Sequence, residues 1–211
     1  MGTYQYGITG DFKGKVGPVV GATWKGISYM RSKRRSTTNK PTLAQLEHRA
    51  KFSLVSKFVH TIKQVLMTCY PDTPELTSVN NAFAHIYPTA VTGAYPYFAL
   101  DYNKILISQG SLHNAYSPAA VAAGGGMIAF NWTNNTGGTM ANSNDRSVLL
   151  AYCPELELVA YTLAGAERST GSATLNTMSF IGKPVETWVS FISADGRFVA
   201  SSIYTGLLMV S

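Results

Sequence analysis

The sequence predicts a mainly β protein, with an antiparallel, immunoglobulin-like sandwich in its C-terminal part, one long amphipathic helix and an extended N-terminal arm. The chain has 211 residues, enough for one domain or two small ones. Hydrophobic residues make up 45% of it, which supports a packed core, whereas charged residues make up only 13%. Helical periodicity is confined to one segment, and the C-terminal half shows short alternating runs separated by turn residues.

Residues 1–41 are predicted to form a glycine-rich, basic, extended arm. Glycine recurs every three to five residues from Gly7 to Gly26, and each glycine disfavours a helix by about 1 kcal/mol. An arm without a core of its own must pack on the body or on a neighbouring subunit, and a hairpin folded back on the same subunit stays open as an alternative. The residues predicted to carry association are Phe12, Val16, Gly17, Val20, Gly21 and Trp24.

Residues 42–70 are predicted to form the amphipathic helix. Thr42 and Gln45 have the spacing of a capping box, directly after Pro41. Apolar residues then recur at steps of three and four as far as Cys69, and Pro71 cannot continue the helix.

Residues 71–123 are predicted to form a small β region, and residues 124–211 the sandwich, with a flexible join at Gly124–Gly126. Asp195-Gly196 lies between two alternating runs and indicates a hairpin. Trp132 lies on an early strand and is predicted to be a core residue. The predicted strands are 97–100, 104–108, 127–132, 147–152, 156–163, 173–178, 186–193, 197–202 and 206–210.

The positive charge is concentrated in the first third of the chain. Residues 1–66 carry a net charge of +10 and residues 67–211 a net charge of −4, which together give +6. A basic segment of this kind meets either an anionic partner or the acidic surface of another copy. Trp24 and Tyr29 could stack on bases. The predicted anion or nucleic-acid contacts are Lys25, Arg31, Lys33, Arg34, Arg35 and Lys40.

No motif of an enzyme is present, so no catalytic residue, metal ligand, cofactor or small-molecule substrate is predicted. The run from Gly10 to Lys15 is one residue short of a phosphate-binding loop and lacks its Ser or Thr. The four histidines do not pair at metal-binding spacing, and Cys69 and Cys153 are predicted to be buried free thiols. The start of the sequence lacks the pattern of a secretory signal, and no apolar run is long enough to span a membrane. We therefore expect synthesis in the cytoplasm, with incorporation into a virion or another assembly as an option.

The chain opens with GDFKGKVGPVVG at residues 10–21, WKG at 24–26 and Arg31-Ser32. Further short motifs lie at 44–46 and 49–52, and the chain closes with SADGR at 193–197 and YTG at 204–206. Across nearly the whole chain, these motifs resemble an uncharacterised protein family, a domain of unknown function, common in bacteria of the Bacteroides group. The resemblance implies one intact module and supplies no catalytic or binding residue.

Two classes of function remain. The first is a non-enzymatic structural subunit of a virion, filament or surface assembly that self-associates through its N-terminal arm. The alternative is an accessory protein that binds nucleic acid through the basic run 31–40 and the helix. The dependence on salt concentration distinguishes the two functions. Phosphate binding weakens as the salt concentration rises, whereas association through apolar and backbone contacts persists.

Overall fold

The computed structural model describes residues 2–4, 10–34, 40–137 and 140–211. The chain divides into two compact units, residues 1–42 and residues 43–211. We call them the N-terminal sheet and the body, and describe each by itself. The fold is mainly β, as predicted, with antiparallel sheets and three α-helices.

The N-terminal sheet is a four-stranded antiparallel meander. Its strands are β1 (Gly2–Tyr4), β2 (Phe12–Val16), β3 (Val19–Trp24) and β4 (Ile27–Ser32), and they lie side by side in chain order. The described residues are therefore not an extended arm. Tight two-residue turns join β2 to β3 and β3 to β4, so each strand pairs with the strand before it.

The predicted single helix over 42–70 is corrected to two helices, α1 (Leu43–Thr61) and α2 (Lys63–Cys69). They meet at Ile62, whose backbone leaves the helical region with φ −93° and ψ 13°. Next to it, the hydroxyl of Thr61 donates a hydrogen bond of 3.0 Å to the carbonyl of Lys57, four residues earlier. Such bonds bend helices, which the apolar periodicity alone does not reveal.

A third helix, α3 (Ser78–Thr89), lies where the sequence predicted the small β region. Thr77 caps it, because its side chain accepts a hydrogen bond from the backbone N–H of Asn80. A hairpin follows, formed by β5 (Val91–Ala94) and β6 (Tyr97–Leu100), and β6 coincides with a predicted strand.

Seven strands form two antiparallel sheets in the rest of the body. One sheet has the order β11-β8-β7 and the other the order β10-β9-β12-β13. The strands are β7 (Tyr116–Gly124), β8 (Met127–Thr133), β9 (Arg146–Cys153), β10 (Leu158–Thr162), β11 (Ser172–Asn176), β12 (Pro184–Ile192) and β13 (Ile203–Met209).

The predicted strands differ from the structure in several details, and β5 and β7 were not predicted. Gly125 and Gly126, with φ of 60° and 73°, form the turn of the β7–β8 hairpin rather than a flexible join. Residues 104–108 form no strand, because the N–H of Ile107 donates to the side chain of Ser202, 2.9 Å away, rather than to a ladder. Residues 197–202 form only isolated bridges.

The two central strands of the four-stranded sheet in the body, β9 and β12, are buried on both faces. Leu150 and Trp188 face the helices, in a core that includes Phe58, whereas Leu149 and Val189 face the three-stranded sheet. Successive residues of a strand point to opposite faces, and β12 is buried at every position after its first, including the polar residues Glu186, Thr187 and Ser190. The body is therefore built as helices, a four-stranded sheet and a three-stranded sheet in layers.

Candidate association surface on the N-terminal sheet

Two glycines shape the N-terminal sheet for different reasons. A Cβ atom on Gly21 would lie 2.1 Å from the carbonyl oxygen of Phe12 and 2.9 Å from its ring, so only glycine fits beneath this residue. Gly17 has open space around it, but its φ of +56° places it in the left-handed region that the turn requires. Gly21 thus permits close packing, and Gly17 permits a turn.

The strand register sorts the side chains of β3 and β4 onto two faces. Val20 lies opposite Arg31, Ala22 opposite Tyr29, and Trp24 opposite Ile27. These residues alternate along each strand and therefore share one face. Lys15 of β2 lies opposite Val20 and joins them. We call this surface the aromatic-basic face, and its members are Lys15, Val20, Ala22, Trp24, Ile27, Tyr29 and Arg31.

Strand β4 is one of the two edge strands of this sheet, and all of its residues are exposed. The side chains of Ile27 and Met30 are 69% and 71% exposed, unusually high values for large apolar residues. In the described part of the sheet, Gly21 alone is buried, and neither hydrophobic core of the chain contains a residue before Leu43. The sheet thus holds its apolar side chains at the surface.

The backbone of β4 has one bonded side and one open side. The N–H of Lys33 donates to the carbonyl of Pro18, 2.7 Å away. Hydrogen-bonded pairs alternate along an antiparallel ladder, so the odd-numbered residues of β4 are the ones that bond to β3. Ser28, Met30 and Ser32 therefore direct their backbone groups outward. No described strand pairs with this side. We call the outward groups of these three residues the open edge.

The predicted association residues come together on this sheet, but not on one face. Phe12 and Val20 are half-buried, whereas Val16 and Trp24 are 43% and 45% exposed. Phe12 covers Gly21 on the face opposite Trp24.

The predicted basic contacts differ in position. Lys25 lies in the β3–β4 turn with φ 46°, and Arg31 is on the aromatic-basic face. Lys33 and Arg34 follow β4 and are exposed, as is Lys40, whereas Arg35 lies outside the described residues.

Residues 1–42 carry a net charge of +7, with Asp11 as their one acidic residue, and residues 43–211 carry −1. The basic residues of α1, which the charge distribution along the sequence grouped with the arm, belong to the body.

The surface carboxylates Glu155 and Glu157 each form an ion pair with a lysine. Glu155 pairs with Lys183 at 2.7 Å, and Glu157 pairs with Lys57 at 3.2 Å. An open groove of about 500 Å³ runs beside Lys57 and His60. Within the described ranges, no three His, Cys, Asp or Glu side chains lie close enough to share a metal ion.

A buried ion pair in the body was not predicted. Arg168 and Asp145 are fully buried and lie 3.1 Å apart. The guanidinium also donates to Asn135 and to the carbonyl of His113, and it stacks on the ring of Phe191. Arg168 thus ties three loops together, which the sequence does not reveal because the partners lie up to 55 residues away.

A buried carboxyl group lies near the helices. Burial raises the pKa of Glu186, although the hydrogen bond of 2.5 Å from the hydroxyl of Tyr204 opposes the shift. Burial also raises the pKa of the Tyr152 phenol to about 12. These groups belong to the packed interior, so we assign them no role in binding.

The residues that sequence reasoning missed are the exposed apolar residues of β4, Ile27 and Met30. Lys25-Gly26 between two β-rich runs indicates the β3–β4 hairpin, but not that β4 is an edge strand. Among the described residues, no helix is both long enough and apolar enough to cross a membrane.

The comparisons with known proteins place the chain in a family but supply no activity. A search of curated proteins gave no match, and neither did a search of solved structures. A family model matches residues 11–206, from the start of β2 into β13. An uncharacterised domain over nearly the whole chain is thereby confirmed. The chain belongs to the family described as "Family of unknown function (DUF6266)".

Proposed function

We propose that this protein is a non-catalytic subunit of a larger assembly, of the virion, filament or surface type, and that it self-associates through its N-terminal sheet. One observation carries the proposal, namely that β4 exposes every one of its residues, including Ile27 and Met30. Edge strands that are neither covered nor paired are templates for association with another chain.

The energetics favour a partner for this sheet. Full burial of a large apolar side chain stabilises by about 1.5–3 kcal/mol. Trp24 and Tyr29 are nearly half exposed, and Ile27 and Met30 are about 70% exposed, so a large part of that stabilisation is still to be gained. A second copy of the chain supplies both apolar side chains and backbone hydrogen bonds.

The body suits a structural role, and we propose that its seven strands form an immunoglobulin-like sandwich. Strands β7 to β13 can be named A, B, C, C′, E, F and G in chain order. The two sheets then have the orders A-B-E and C′-C-F-G, which is an immunoglobulin-type arrangement. Trp132 on B packs edge-on against Phe191 on F, with ring centroids 5.1 Å apart, between the two strands that a disulfide joins in antibody domains.

Sedimentation of the full chain over a wide concentration range tests the association. We expect an oligomer that dissociates on dilution. The variant with Ile27, Tyr29 and Met30 replaced by Ser should be monomeric, because it lacks the exposed apolar side chains of β4. The matched control variant has Leu207 and Met209 of β13 replaced by Ser. These residues are 59% and 62% exposed, and the variant should associate like the parent. A parent that is monomeric at every concentration would remove the proposal.

A second candidate function is single-stranded nucleic-acid binding by the same sheet. The observation that favours it is the aromatic-basic face, where Trp24 and Tyr29 are diagonal neighbours and where Arg31 and Lys15 lie on either side of Val20. Aromatic side chains that stack on bases, together with cations that bind phosphates, are the usual means of such binding. In the body, Lys57 of helix α1 is paired with Glu157, so the case for this function rests on the N-terminal sheet.

The two functions predict opposite effects of salt. Binding to an oligonucleotide weakens as salt rises, since counterions are released from the phosphates. Association between two like-charged sheets strengthens as salt rises, because screening reduces their repulsion. Sedimentation and fluorescence anisotropy with a labelled single-stranded oligonucleotide, each at low and high salt, distinguish them.

A further inference from the structure

We infer that the partner of the open edge is the β4 strand of a second copy, paired antiparallel and centred on Met30, so that two four-stranded sheets become one continuous sheet. This inference rests on the proposed function and specifies its interface. It derives from which backbone groups of β4 face outward and from which side chains a two-fold axis brings together.

The outward groups restrict the register. Ser28, Met30 and Ser32 must bond to one another across the axis, since only these residues direct N–H and C=O groups away from β3. With the axis at Met30, each Ser28 bonds to Ser32 of the other copy, and Met30 bonds to its own equivalent. This register uses the whole open edge.

The neighbouring registers use less of the edge or oppose like charges. An axis at Tyr29 moves Ser32 opposite Gly26, which lies in the turn with φ 81° and cannot continue the ladder. An axis at Arg31 places two Arg31 side chains directly opposite each other, and like charges at that position destabilise a sheet. The register centred on Met30 avoids both.

The same register places complementary side chains on the aromatic-basic face. Tyr29 of one copy lies opposite Arg31 of the other, and the pair occurs twice because of the two-fold axis. A guanidinium over a tyrosine ring is a favourable cation–π arrangement, also in partly exposed positions. Met30 meets its equivalent on the opposite face. The edge is therefore self-complementary in side chains as well as in backbone.

Cysteine cross-linking of the full chain tests the register. In the inferred pairing, Met30 of the two copies lie directly opposite, with Cα atoms about 5.5 Å apart, within the range that a disulfide spans. Tyr29 of one copy lies diagonal to Tyr29 of the other, at about 7–8 Å, beyond that range. Mild oxidation should give a disulfide-linked dimer of M30C and little or none of Y29C. The parent is the background control, because Cys69 and Cys153 are buried.

A second variant tests the backbone bonds. Met30→Pro removes an outward N–H but no bond to β3, so the body and its melting temperature should be unchanged while the dimer no longer forms. The control Val121→Pro places proline on β7, the edge of a sheet in the body, and should leave association intact.

The outcomes separate this inference from the proposed function. A concentration-dependent dimer that cross-links through M30C and is absent in Met30→Pro supports both. A dimer that cross-links faster through Y29C, or that survives Met30→Pro, overturns the inferred pairing and leaves self-association standing. A parent chain that stays monomeric at high salt and high concentration overturns both.

Discussion

The N-terminal sheet and the body solve the burial of apolar side chains in opposite ways. In the body, β9 and β12 are covered on both faces, and Trp188 is fully buried between the helices and β13. In the N-terminal sheet, one strand covers part of another at Phe12 and Gly21, and β4 is exposed throughout. Hence hydrogen-bonded turns and ladders hold the sheet together, whereas packing holds the body together.

Charge follows the same division. The N-terminal 42 residues carry +7 and the remaining 169 carry −1, so the small unit holds the excess charge of the whole protein. The body places one ion pair in its interior and others on its surface. Substitutions should therefore affect folding in one unit and association in the other.

The largest expected effect on stability is in the body. Phe58 is 1% exposed and packs against Tyr152 and Trp188, with ring centroids 5.0 and 6.3 Å away. Phe58→Ala should lower the free energy of unfolding by about 3–5 kcal/mol, because it removes buried apolar surface and leaves a cavity. The matched control is Phe52→Ala on the same helix, where the ring is 49% exposed and the cost should be much smaller. Urea unfolding followed by circular dichroism measures both, and equal costs would contradict the layered core.

Gly21→Val should disrupt the N-terminal sheet and leave the body intact. The new side chain collides with the backbone of Phe12, which cannot move without separating β2 from β3. Association should be abolished, while the free energy of unfolding of the body changes by no more than about 0.5 kcal/mol, as expected of a substitution outside that unit. Gly17→Ala is the control for steric collision, because Gly17 has open space around it. Its positive φ alone should destabilise the N-terminal sheet, by about 1 kcal/mol. Sedimentation and thermal unfolding of each variant test this expectation.

The sequence predicted the strand-rich body better than it predicted the surface. Alternation located β6, β8, β9 and β12 within a few residues, because the pattern of a strand is local. It missed α3, where the cap at Thr77 and the stripe through Ile86 lie among Asn, Thr and Pro residues that favour turns.

The candidate surface required the strand register, which no local pattern supplies. Glycine spacing showed that residues 1–41 contain close approaches and bends, but not that β4 would be the edge strand. Which side chains share a face with Arg31 depends on pairing across β3 and β4. The buried pair of Arg168 and Asp145 likewise joins residues distant in sequence. The features that could not be predicted are therefore those that depend on pairing between residues distant in sequence.

A smaller effect is expected from pH and concerns Glu186 in the body. Its folded pKa is raised by burial above the ordinary value of about 4.3, so the folded state binds this proton more tightly than the unfolded state does. The stabilisation is complete below about pH 4 and disappears as the pH rises through the folded pKa. Glu186→Gln keeps an acceptor for the Tyr204 hydroxyl and cannot ionise. The melting temperature of this variant, relative to the parent, should therefore increase between pH 4 and pH 7. A constant difference would contradict the raised pKa.

The smallest effect on stability is expected from the basic run. Arg31, Lys33 and Arg34 are exposed, and exposed charges in such positions contribute about 0–1 kcal/mol each. Replacing Lys33 and Arg34 by Ser, while keeping the Arg31 that the inferred pairing places opposite Tyr29, should leave the thermal unfolding of the body unchanged. The effect on association is the informative one, because it differs in sign between the two candidate functions. If the sheet pairs with its own copy, the variant has less repulsion to overcome, and its dimer should form at lower salt than that of the parent. If the sheet binds single-stranded nucleic acid, the variant should bind an oligonucleotide more weakly, with a salt slope reduced by about one unit for each phosphate that it no longer neutralises. Arg49→Ser on α1 is the single-charge control in the body and should change neither property.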